Sequence, residues 1–275
     1  MLRIIVDSGS SIRPDECEKY GVELAPLKIL LGDKEYLDGY ELSMDEFYRF
    51  LIEGKGFPKT SLPSISEVEE KVKKFNDDGD DVIILTISSG ISGTYNAFRM
   101  LFEGNPKVRV VDSKTAVGGM RILVDEINKN KDKSLDEIVE ILNNLIPRVK
   151  VMAIPETLEY LHRGGRLSKV SYIIGSVLKI KPVISLKQDG SVYVNAKKIG
   201  IKNAMKYIAD KLKDECDTNY EIIPSYTYNT KNLEELKAMT DSSLYQYMKI
   251  TDHIDAAIAA HWGPNAFGYI YVSKN

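Results

Sequence analysis

Three short runs of branched apolar residues, at 2–6, 82–87 and 108–111, each stop at a loop of Ser, Gly or Asp. None of them alternates with polar residues, so neither face of such a strand can be left to water. A strand covered on both faces belongs to a parallel sheet with helices packed over it. Capping boxes announce the helices between the runs: Ser43-x-x-Glu46, Ser64-x-x-Glu67 and Ser134-x-x-Glu137, in which the serine oxygen takes an orphan N–H of the first turn. Strand, loop and helix in this repeated order predict an α/β unit with right-handed crossovers.

Pro147 ends the last of these helices, and a new apolar run opens at residues 150–154. The character of the chain changes there. Apolar runs at 183–186 and 192–196 flank Gln188-Asp-Gly190, the strongest hairpin signal present. A helix over 203–212, an alternating strand over 220–228, a helix over 233–239, an Ala-rich helix over 255–260 and a closing strand over 269–272 complete an α+β pattern with a largely antiparallel sheet. At 275 residues the chain is long enough for two domains. The expected division is an α/β domain over 1–149 and an α+β domain over 150–275.

A net charge of -3 leaves no basic surplus for phosphate backbones, so no nucleic-acid partner is expected. No apolar run reaches the roughly 18 residues of a membrane span, and MLRIIVDSGSS has no signal-peptide pattern. A cytoplasmic protein without stable membrane insertion is the expectation. Cys17 and Cys216 suggest neither a disulfide framework nor a metal site; they read as free surface or half-buried thiols. There is no GxGxxG, no Walker A loop and no HExxH, and three histidines without a Cys/His cluster make neither a metal nor a cofactor expected.

Chemistry is expected in the loops. Asp7-Ser-Gly-Ser-Ser11, Ser88-Ser-Gly-Ile-Ser-Gly-Thr94 and Asp112-Ser-Lys-Thr115 follow strands, where helix N-termini favour anions. Lys59-Thr-Ser-Leu-Pro-Ser64 adds hydroxyls ahead of a helix. Together they suggest a cradle for a carboxylate or phosphate, against the plainer reading in which each serine is only a cap. A hydrolase triad of Ser92, His261 and Asp112 is the alternative.

In TLEYLHRGGRLSK, residues 157–169, a helical turn stops at Gly164 and Gly165. Arg163 suits the dipole of the helix end and Gly164 a C′ position, which leaves Gly165 and Arg166 over. The apolar segment 170–180 that follows would form a helical wall beside the cradle. His261 lies in His-Trp-Gly-Pro-Asn265, read as a loop after the Ala-rich helix.

In order along the chain, Ile5-Val-Asp-Ser8, Thr60-Ser-Leu-Pro-Ser64, Ser88-Ser-Gly-Ile-Ser-Gly-Thr94, Val111-Asp-Ser-Lys114, Glu156-Thr-Leu-Glu-Tyr-Leu161 with Gly164-Gly-Arg166, Ile180-Lys-Pro-Val-Ile-Ser185 and His261-x-Gly-Pro264 resemble the DegV family of fatty-acid-binding proteins. The resemblance implies two domains and a buried acyl chain such as palmitate. It implies that Thr60 and Ser92 bind the carboxylate, with Arg166 and His261 beside it serving transfer to a partner. That partner would be the ATP-dependent subunit of a fatty acid kinase, with this chain the non-catalytic lipid carrier. Departures from the family pattern are Ser10-Ser11 in the first loop, Trp262 for a small polar residue and Asn265 for glycine.

Overall fold

The computed structural model describes residues 1–167 and 179–274. The three continuous apolar runs pair as expected. Strands β1 (Leu2–Asp7), β2 (Glu23–Ala25), β6 (Asp81–Thr86) and β7 (Val108–Asp112) form an all-parallel sheet in the order β2-β1-β6-β7. Ile83 and Leu85 bury one face of β6 in the main core cluster, and Val82 and Ile84 bury the other under helix Ile65–Asp77. Ser43, Ser64 and Ser134 cap their helices, each accepting the N–H of the glutamate three residues on.

A small antiparallel sheet stands beside this one, in the order β4-β3-β5, from β3 (Lys28–Leu31), β4 (Lys34–Leu37) and β5 (Lys59–Ser61). The sequence reading did not anticipate it. The largest sheet runs β10-β9-β8-β13-β11-β12, from β8 (Val149–Ile154), β9 (Ile180–Leu186), β10 (Val192–Ile199), β11 (Ile223–Tyr226), β12 (Asp252–His253) and β13 (Phe267–Val272). It is antiparallel apart from the β11–β12 pair. The strand expected over 220–228 is shorter, and Tyr228 beyond it takes a left-handed φ of 64°.

Strand alternation divides β13 between two cores. Phe267, Tyr269 and Tyr271 pack beneath helices Ile201–Glu215 and Lys231–Met239, whereas Ile270 and Val272 join the parallel sheet's core. That second core holds Ile4, Val6 and Leu85 together with Ile223, Ile254 and Ile258, so the two halves meet through packed interior. The β9–β10 turn is seated on the Ser88 loop, where Ser88 Oγ donates to Gly190 O at 3.0 Å. A Cβ on Gly90 would collide with the backbone of Gly190 and Ser191, which is why the loop carries glycine there.

Cys216 lies buried at the end of helix Ile201–Glu215, in place of the surface or half-buried position expected, and Cys17 is half-buried as expected; both are free. The helical wall expected over 170–180 falls at 170–178 outside the described residues, and Ile180 opens β9. Among the described residues no helix is long and apolar enough to cross a membrane.

Candidate functional site

Helix Glu159–Arg163 ends in a Schellman motif. Arg166 N–H donates to Leu161 O at 2.9 Å and Gly165 N–H to His162 O at 3.0 Å. The left-handed residue is Gly165, with φ 74°, whereas Gly164 keeps a right-handed φ of -71°. This corrects the assignment of Gly164 to the C′ position. Gly164 answers to a different demand: a Cβ on it would overlap the imidazole of His261. One glycine turns the chain and the other admits a histidine.

The turn directs Arg166 back across the molecule. Its Nε donates to Ile91 O at 2.9 Å and its Nη1 to Gly164 O. Arg163 instead pairs with Glu159 at 2.9 Å and lies over the Phe57 ring at 4.1 Å, consistent with service at the helix end. Burial lowers the Arg166 pKa, yet the group stays cationic because an arginine starts so high.

His261 sits in the last turn of helix Ala256–Trp262, not in the loop after it. Its Nε2 shares a 2.9 Å hydrogen bond with Thr60 Oγ1 on β5, while its Nδ1 is buried without a hydrogen-bond partner among the described residues. Desolvation, with the Arg166 charge second, lowers its pKa to about 4, so the ring is neutral at pH 7. Ser92 stands next to Ile91 and engages Thr94, with 2.9 Å between the two hydroxyl oxygens. A chain of contacts therefore links the four residues: Thr60 to His261, His261 to Gly164, and Arg166 to the Ile91-Ser92 loop.

All four line one cavity of about 240 Å³. Away from them the wall is apolar: Leu27 and Ile87 from loops, Ala257 and Ile258 from the His261 helix, Val151 and Ile270 from the large sheet. Arg166 is the one charged residue among the described residues of the wall, which include no aspartate or glutamate. Such a space suits a guest with one negative end and a long neutral body.

The other loops of the expected cradle point elsewhere. Ser8 donates to Asp38 at 2.7 Å, Ser10 accepts from Ile12 N–H and Ser11 from Asp255 N–H. Asp112 accepts from Ser89 and Lys114 N–H groups and pairs with Lys114 at 2.7 Å. The triad alternative fails on geometry: His261 meets Thr60 rather than Ser92, and among the described residues its Nδ1 has no carboxylate partner to orient it. His253 stacks on Tyr226 with centroids 4.7 Å apart, and no metal-holding cluster occurs among the described residues.

The departures from the family pattern have physical places. Trp262 lines the cavity and packs with Leu158, Leu161, Leu167 and Ile184. Asn265 has a left-handed φ of 61°, which asparagine tolerates better than most residues, and its Nδ2 donates to Glu156 at 2.8 Å. Sequence reasoning missed the apolar wall, whose residues are scattered from Leu27 to Ile270. The available signal was the run FGYIYV at 267–272, which carries no charged residue.

A family profile described as uncharacterised proteins of the DegV family matches residues 1–274. A DegV domain-containing protein of Clostridium acetobutylicum is 32% identical over 99% of each chain. One from Caldanaerobacter subterraneus is 33% identical with the same coverage. A fatty-acid-binding DegV family structure from Streptococcus agalactiae has 27% identity and a TM-score of 0.88, covering 100% of this chain and 99% of that one. One from Thermus thermophilus, likewise described as fatty acid binding, has 26% identity and a TM-score of 0.86, covering 99% of each. A stearic-acid-binding protein from Eubacterium ventriosum has 26% identity and a TM-score of 0.86, covering 100% and 99%. From the first residue to the last matched, this chain belongs to the DegV family.

Proposed function

We propose that the protein binds one long-chain fatty acid, such as palmitate, with its carboxylate among Thr60, Ser92, Arg166 and His261 and its tail along the apolar wall. The observation that carries this reading is the distribution of polarity: one cation and several hydroxyls gather in one part of a cavity whose remainder is mostly hydrocarbon. Each CH₂ removed from water contributes about 0.8 kcal/mol, so the tail supplies affinity. An unpaired buried carboxylate costs several kcal/mol, so the donors make its burial tolerable. The fatty acids bound by the solved relatives support the same ligand class.

In this reading the chain is a cytoplasmic lipid carrier and not a catalyst. A separate ATP-dependent kinase phosphorylates the presented carboxyl to an acyl phosphate, while this protein shields the tail. Neutral His261 and cationic Arg166 lie where they can meet both the head group and the partner. The units 1–149 and 150–275 remain the proposed division, with the acyl chain at their seam.

Mass spectrometry of lipid extracted from purified protein, followed by titration of the delipidated protein with palmitate, tests the proposal. A co-purified or tightly titrating fatty acid is expected; neither one appearing would sink it. Acyl-phosphate formation on adding the kinase and ATP tests the second step separately, with Arg166→Ala expected to lose more in phosphorylation than in lipid binding.

A further inference from the structure

Beyond the four head residues and Ser61, two serines interrupt the apolar wall among its described residues, Ser185 and Ser225. Ser225 lies on β11 two residues from Ile223, whose side chain packs against Gly118, so alternation turns Ser225 to the same face of the sheet. Register sets it beside Gly268, and Gly268 beside Ala153, making a low row across three strands. All three residues line the cavity, and Ser225 is only 4% exposed.

The Ser225 hydroxyl is poorly used by the protein. Its one hydrogen bond among the described residues reaches Ile223 O at 3.4 Å, beyond the usual range for a hydroxyl donor. Ser185, which also lines the cavity, is the contrast: it takes Asn195 Nδ2 at 3.0 Å. Against a bare hydrocarbon tail the Ser225 hydroxyl would be a liability, because a polar group buried without a good partner costs free energy that alanine would not.

We infer that Ser225 selects for a hydroxylated acyl tail, so that the ligand class of this cavity includes long-chain hydroxy fatty acids. The inference rests on the fatty-acid reading above and adds a second recognition point to it. The ligand hydroxyl would donate to Ser225 Oγ, leaving the serine proton on the Ile223 carbonyl. Position matters, since one point on a wall meets one depth of an extended chain.

The test is competition between stearic acid and a panel of hydroxystearic acids whose hydroxyl is moved stepwise along the chain. One position is expected to outbind stearic acid by about three- to tenfold, the worth of one buried neutral hydrogen bond. Ser225→Ala should erase that preference and bind stearic acid at least as tightly as the unaltered protein, and Ser225→Thr should retain the preference. Stearic acid binding with no favoured isomer, or a preference that survives Ser225→Ala, would overturn this inference alone. Failure of stearic acid and every isomer to bind would overturn the fatty-acid reading with it. The panel on the unmodified protein decides even if a variant folds poorly.

Discussion

The two ends of the cavity are built by different means. The proposed head takes Thr60 from a short strand, Ser92 from a loop, Arg166 from beyond a helix stop and His261 from a helix end, each half-buried. The tail wall takes residues such as Ile270 and Ala257 that are 2% and 1% exposed and belong to the main core. Head residues can therefore be tuned for chemistry at little structural cost, whereas tail residues serve folding and binding at once. The largest effect expected follows from this. Ile270→Ala should cost about 2–5 kcal/mol of folding stability, read by urea denaturation, and should weaken fatty-acid binding too. A loss under 1 kcal/mol would break the contrast.

The same division governs what the sequence made legible. Ser43, Ser64 and Ser134 declare helix starts because capping is a contact of three residues, and the β9–β10 turn declares itself through Gly190 at φ 81°. The four residues proposed for the head could be singled out because each sits in a short motif, and the structure brings all four to one cavity. Ile29 against Thr60 is another matter: β5 joins β3 across about thirty residues, and no local pattern encodes that. A signal did exist for the β3–β4 hairpin, in Gly32-Asp33 with Gly32 at φ 61°. Gly164 could not be understood from its neighbours at all, since the atom it makes room for belongs to His261.

Helix Ala256–Trp262 joins the two ends, with its first turn in the core and His261 at the head. Asp38 is fully buried and accepts from Ser8 Oγ and Ala257 N–H. Desolvation first, then the neighbouring Asp255, raises its pKa to about 8. A raised carboxyl pKa gives stability that is complete below the ordinary value of 3.8 and is lost as pH climbs through about 8. Asp38→Asn removes this term, so melting temperatures of the variant should fall less between pH 5 and pH 8 than those of the unaltered protein. Equal slopes would show that Asp38 does not anchor the helix as a neutral acid.

At the head, Thr60→Ala and Ser92→Ala should each weaken fatty-acid binding by about 1–3 kcal/mol, the cost of a charged acceptor short of one donor. Folding stability should change by less than about 1 kcal/mol, because both side chains are half-exposed. Isothermal titration beside denaturant melts separates the two quantities. Unchanged affinity in both variants would remove the hydroxyls from the head.

The smallest effect separates the adjacent glycines. A Cβ on Gly165 meets nothing within 4 Å among the described residues, so Gly165→Ala adds the strain of a left-handed alanine, about 1 kcal/mol. Denaturant melts should register that loss, and fatty-acid affinity should hold because the Schellman bonds from Gly165 and Arg166 are main-chain bonds. Gly164→Ala carries no φ penalty, but its Cβ displaces His261 and with it the bond to Thr60. It should therefore lose affinity out of proportion to stability. If Gly165→Ala damaged binding as much as Gly164→Ala, the head would depend on the turn as a whole rather than on the space left for one imidazole.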